Sequence, residues 1–165
     1  MSSSSSKTRD LHVVLVEPEI HWNTGNAGRT CLAVGAQLHL VEPLGFSLDD
    51  KEVRRAGLDY WSRVSPRVWP DLETFERVLP TLGTPLYFSS RGKQRFQDIA
   101  YPRPAVLIFG RESVGLPDKL LERHAASTVA IPMRDPELRS LNLSTAVALA
   151  AYEARRHWGW RGGLA

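Results

Sequence analysis

The chain is poor in the residues that build covalent and metal-held scaffolds. Its 165 residues include a single cysteine, Cys31, which excludes an internal disulfide and a cysteine-rich zinc site. The five histidines, at positions 12, 21, 39, 124 and 157, are scattered without ligand spacing, and no metal is expected. No apolar run approaches the ~18 residues that cross a bilayer. Met1–Lys7 is serine-rich, with no apolar stretch behind its charges, which argues against a secretory signal. A cytoplasmic location without a membrane partner is therefore expected. Charge of one sign is not in large excess: 21 basic residues stand against 18 acidic, a net +3, and the sequence pI is about 9.3. That surplus permits a polyanionic partner without requiring one. Two nucleotide signatures are also missing. Gly25-Asn26-Ala27-Gly28 lacks the G-x-G-x-x-G spacing of dinucleotide sites, and no G-x-x-x-x-G-K-[ST] loop occurs.

What is present is globular. Hydrophobic residues make up 42% and charged residues 24%, enough for one core in one domain. We expect a disordered tail over 1–10, a single domain over 11–160 and a short tail over 161–165. Strand patterns fall at Leu11–Val16, 37–41, 85–88, 105–109 and 128–131. Between them, helices are expected at 27–34 with Gly35 closing the first, from Asp49-Asp50 to before Gly57, and at 71–79, 117–123 and 143–157. Asn23–Asn26 reads as a turn. The alternation predicts an α/β fold, a parallel sheet with helices on both faces, while strand order is not legible in the pattern.

In such sheets ligands bind beyond the carboxyl ends of the strands. Four loops there carry polar or glycine-rich sets: Asn23, Gly25, Asn26 and Arg29; Ser89 to Gly92; Gly110 to Gly115; and Pro132 through Ser140, Asn142 and Ser144. Each has an ordinary structural reading. Asn23, Ser140 and Asn142 can be helix caps, Gly110 a turn residue, and Glu112 a charge favoured at a helix start. Ser113 is not a nucleophile elbow, because position 111 is arginine where that strained turn needs glycine.

Taken together, three segments resemble the signature motifs of the SPOUT (trefoil-knotted) RNA 2′-O-methyltransferases: Asn23-Thr-Gly-Asn-Ala-Gly-Arg29, Phe109-Gly-Arg-Glu-Ser-Val-Gly-Leu116, and Ile131-Pro-Met133 through Ser140-Leu-Asn-Leu-Ser144. The resemblance covers residues 11 to 158. The stretch from Glu42 to Lys51, with Arg54 to Tyr60, looks like the minimal branch that methylates the cytidine or uridine at wobble position 34 of tRNA. The resemblance implies a C-terminal trefoil knot and a homodimer. It also implies S-adenosyl-L-methionine held mainly by main-chain groups at Phe88, Gly110, Ile131 and Ser140. Arg29, Asn23, Glu112, Ser140 and Asn142 are the implied catalytic set. Arginine, with a pKa above ~12, is a poor base. Either the environment of Arg29 is extreme, or, as we favour, it positions a phosphate and stabilises developing oxyanion charge. Lys51, Arg54, Arg55, Arg91, Lys93 and Arg95 are candidate phosphate contacts to a tRNA anticodon loop. Trp22, Tyr60 and Trp61 are candidate stacking surfaces. Ala27, Gly28, Ala150 and Ala154 offer close approach between two copies. The chain departs from the family in having His21-Trp22 where two prolines are usual, one extra residue between Met133 and Ser140, and Arg111, a further candidate phosphate contact, where proline is common. The alternatives are action on another RNA, such as ribosomal RNA, and a non-enzymatic RNA-binding module.

Overall fold

The computed structural model describes residues 8–49, 51 and 59–160. The expected helix after Asp49 lies almost wholly outside them, as do Arg54, Arg55 and residues 1–7 and 161–165. Among the described residues, seven strands form one sheet: β1 (Leu11–Val16), β2 (Gln37–Val41), β3 (Arg67–Trp69), β4 (Thr84–Phe88), β5 (Gln94–Arg95), β6 (Ala105–Phe109) and β7 (Thr128–Ala130). Their order is β3-β2-β1-β6-β4-β7-β5, and every ladder is parallel. The helices are α1 (His21–Val34), α2 (Trp61–Val64), α3 (Leu72–Leu82), α4 (Asp118–Arg123) and α5 (Leu143–His157). Sequence pattern missed β3, α2 and β5, which have two to four residues each and are too short to show a period.

Alternation along the strands separates two cores. Leu11, Val13 and Leu15, with Ala105, Leu107 and Phe109, face α1, α2 and α5. Val14, Val16, Val106 and Ile108 face α3 and α4. Helices therefore cover both faces, as predicted. Small residues let α1 and α5 pack tightly within the chain. Ala27, Ala150 and Ala154 are fully buried, and Gly28 lies against Trp61 and Val64. These positions are consumed in the monomer, which corrects their assignment to an interface between copies. Asp10, assigned to the disordered tail, is also part of the domain. Its carboxylate accepts from Arg103 at 2.7 Å and Arg155 at 3.1 Å. Arg155 also caps the carboxyl end of α1 by donating to the Val34 carbonyl at 2.8 Å.

Two features position the site. First, β1 and β6 are neighbours, but the chain leaves β1 for α1 on one face and leaves β6 toward α4 on the other. Connections that leave neighbouring strands on opposite faces mark the end of the sheet where such folds keep their sites. Second, β7 is inserted between β4 and β5. The link from Ser89 to Lys93 must cross it, and a Cβ on Gly92 would stand 2.5 Å from the Val129 carbonyl carbon. Only glycine permits that approach.

Candidate active site

Asn23–Asn26, expected as a turn, lies inside α1, which starts at His21. The N-cap residue is Ile20, whose side chain makes no capping bond, and the first turn contains no acid. The cap comes instead from 92 residues downstream. Glu112 accepts from the main-chain N–H groups of Glu19 at 2.8 Å and Ile20 at 3.2 Å, and from Asn23 Nδ2 at 3.3 Å. A carboxylate there satisfies orphan donors and meets the positive end of the helix dipole. Asn23 is not a cap, as the sequence allowed, but a relay. Its Oδ1 accepts from Asn142 Nδ2 at 3.0 Å. Asn142 is the cap of α5, its Oδ1 accepting from the main-chain N–H of Ser144 at 3.0 Å and of Thr145 at 3.3 Å. One polar chain, Glu112–Asn23–Asn142, thus ties three predicted motifs together.

A second set of bonds interlocks the loops after β1 and β6. Arg111 donates to Glu17 Oε2 from Nε at 3.1 Å and from Nη2 at 2.7 Å. The main-chain N–H and hydroxyl of Ser113 donate to Glu19 Oε1 at 3.1 and 2.6 Å. The Ser113 bonds hold the Glu19 carboxyl below its usual range, and Glu17 raises the pKa of Arg111. Arg111, offered by the sequence as a phosphate contact, is committed to Glu17. Neither Glu17 nor Glu19 is among the polar sets that the sequence places at the strand ends. The available signal was two acids immediately beyond a strand's carboxyl end. The interlocked turn is tight: a Cβ on Gly110 would fall 2.1 Å from the Gly115 carbonyl carbon, so no other residue fits there.

These loops enclose a cavity of about 480 Å³ at the carboxyl ends of β4, β6 and β7. Phe88, Gly110, Ile131 and Ser140 line it, and so do Asn23, Glu112 and Asn142. Phe88 and Phe109 stack at 4.7 Å with 15° between their planes, giving the cavity an apolar wall beside its polar one. Arg139, to which the sequence gave no role, is also in the lining. Arg29 is not. It is exposed on α1, its guanidinium 5.8 Å from the centre of the Tyr60 ring. Tyr60 in turn donates from its hydroxyl to the Gly25 carbonyl at 3.1 Å, and burial pushes its pKa up against the opposing Arg29 charge. Of the candidate phosphate contacts, Lys51, Lys93 and Arg95 are exposed. Arg91 pairs with Asp118 at 2.5 Å, a surface pair that a phosphate can displace at little cost. Cys31 is buried in the core, its thiol pushed up to about 12. Among the described residues, no three His, Cys, Asp or Glu side chains group to hold a metal.

The profile of the SpoU rRNA Methylase family matches residues 10–152. The chain belongs to that family. The tRNA (cytidine(34)-2′-O)-methyltransferase of Burkholderia cenocepacia is 48% identical over 155 residues, covering 93% of this chain and 99% of its own. A solved structure giving insights into the 2-OH methylation of C/U34 on tRNA is 44% identical, with a TM-score of 0.84 over 93% of this chain and 99% of that one. A more distant family structure, the AdoMet-bound rRNA methyltransferase of Sinorhizobium meliloti, is 29% identical with a TM-score of 0.75. It covers 90% of this chain but only 56% of that one. Within this SpoU fold the interlocked loops and the Glu112–Asn23–Asn142 chain make up the polar wall of the cavity.

Proposed function

We propose that the protein transfers a methyl group from S-adenosyl-L-methionine to the 2′-hydroxyl of the ribose at position 34 of a tRNA anticodon loop. The observation that carries this reading is the cavity at the carboxyl ends of β4, β6 and β7, lined by Asn23, Glu112 and Asn142, in a chain that spans 99% of a wobble-position methyltransferase. The cavity suits the cofactor. Its volume of about 480 Å³ is in the range of small-molecule sites. Its Phe88–Phe109 wall is a surface for adenine, and Phe88, Gly110, Ile131 and Ser140, expected to hold the cofactor mainly through main-chain groups, all line the cavity. When bound, the cofactor supplies an electrophilic methyl on a sulfonium. Glu112, Asn23 and Asn142 orient the ribose, and the closed loops hold reacting groups in line and away from water.

Arg29, exposed and outside the lining, reaches a cavity in this reading only across a homodimer. Such a dimer is supported by Leu149 and Tyr152, both more than two-fifths exposed on α5. At its partner's cavity, Arg29 positions a phosphate and stabilises the developing oxyanion. A trefoil knot is supported by β7 pairing with both β4 and β5, so that the Ser89–Lys93 connection must cross it. A cytoplasmic location follows from the substrate, and no described helix is long and apolar enough to cross a membrane.

The test is incubation with total tRNA and labelled cofactor, followed by mapping of the modified nucleoside. Label at the position-34 ribose is expected. Label elsewhere in tRNA, or only in ribosomal RNA, refutes the assignment.

A further inference from the structure

The fold leaves one large aromatic side chain in water beside the cavity. Trp22 is 52% exposed, although indole normally finds cover. The His21 ring lies 4.7 Å from it, tilted by 39°, and Phe46 lies 6.4 Å beyond His21. Phe46 arrives from a different segment. Its loop is docked on the β1–α1 connection through Gly45, which donates to the Pro18 carbonyl at 2.9 Å. Three rings from two segments thus form one surface fixed before any ligand arrives. Asn23, the next residue, and Ile20, two residues before, line the cavity, so the surface lies within one helical turn of the mouth. The other two aromatic candidates are otherwise engaged. Tyr60 is bonded to the Gly25 carbonyl, and Trp61 packs on Gly28.

We propose that the His21–Trp22–Phe46 surface is the docking platform for an unpaired nucleobase of the RNA substrate, next to the nucleotide whose ribose enters the cavity. This rests on the reading of the chain as an RNA ribose methyltransferase. A splayed base presents a flat π face and needs an exposed ring rather than an enclosed pocket. The loop that carries Phe46 continues to the exposed Lys51, which places a cation for the strand's phosphates along the same path. Stacking of this kind tolerates any base, so the platform supplies affinity and register, and the cavity supplies the chemistry.

The test uses the full chain and a fluorescein-labelled anticodon stem–loop RNA, with binding read by anisotropy. Trp22→Ala and Trp22→Leu are expected to weaken RNA binding by about 5- to 150-fold. Trp22→Phe, which keeps a π face, retains binding within about threefold of the parent by the same argument. Cofactor affinity by calorimetry and sedimentation behaviour should be unchanged in all three. Unchanged RNA binding in the alanine variant overturns the platform, as does a phenylalanine variant no better than leucine. A shift in sedimentation also overturns it, by assigning the face to a second copy. Failure of the platform is separable from failure of the function. Position-34 methylation with a flat Trp22 series removes only the platform. Trp22-dependent binding and methylation of a different RNA retains the platform and removes the tRNA assignment.

Discussion

Replacing Glu112 by alanine should loosen the start of α1 before it touches any chemistry. The carboxylate accepts three hydrogen bonds, two of them from the main chain at Glu19 and Ile20, and α1 has no capping side chain of its own. Loss of a helix cap costs about 0.5–2 kcal/mol, and loss of a charge favourable to the dipole adds about 0.3–1 kcal/mol. Glu112 is only partly buried, so the middle of the summed range, about 2 kcal/mol, is the appropriate figure. For a domain of this size that lowers Tm by roughly 4–8 °C. Glu112→Gln keeps an acceptor of the same shape and loses the charge, so its Tm should fall by no more than about 4 °C. Calorimetric melting of both variants checks the numbers, with cofactor binding measured on the same samples. If the alanine variant melts within about 1 °C of the parent, Glu112 is not the cap of α1 and the reasoning fails.

Acid should weaken the fold from its opposite end. Trp69 Nε1 donates to His39 Nδ1 at 3.1 Å, His39 and His12 share a bond at 2.9 Å, and His12 Nε2 reaches the Arg9 carbonyl at 3.1 Å. This donor chain is complete with both imidazoles neutral. Burial depresses both pKa values, that of His39 to about 3. The unfolded state therefore binds more protons below about pH 6.5, and stability present above that pH is lost by ~1.4 kcal/mol per unit for His39 alone as pH falls toward 3. Urea unfolding at pH 8, 6 and 5 should show the decline, and a flat profile counts against the buried pair. Arg29→Ala should remove most methyl transfer while cofactor affinity stays near the parent's, since Arg29 is outside the cavity lining. An equal loss of cofactor binding in calorimetry contradicts that, while rescue by Arg29→Lys identifies a point-charge role. With four to six phosphate contacts, log affinity for tRNA should fall against log salt with a slope of about −3 to −5. A slope near zero in filter binding would leave Lys51, Lys93 and Arg95 without a role.

Local pattern was enough for the long elements, because a strand such as Ala105–Phe109 and a helix such as Leu143–His157 carry their periodicity in consecutive residues. The motif residues Asn23, Gly110, Glu112, Ile131, Ser140 and Asn142 were also legible one by one, since strand ends are where such a sheet keeps its polar loops. Their partners were not legible. Glu112 caps a helix 92 residues earlier, and Arg111 and Ser113 bond to acids 94 residues away. Parallel pairing joins strands that are distant in sequence, and only the order β2-β1-β6-β4-β7 brings those loops together. The same geometry turned an expected turn at Asn23–Asn26 into the first turns of a helix, because a tertiary carboxylate replaced the missing local cap. It also spent the small residues of α1 and α5 inside the chain and left Trp22 outside it. Composition and motif named the residues; the crossing connections of the sheet decided which of them meet.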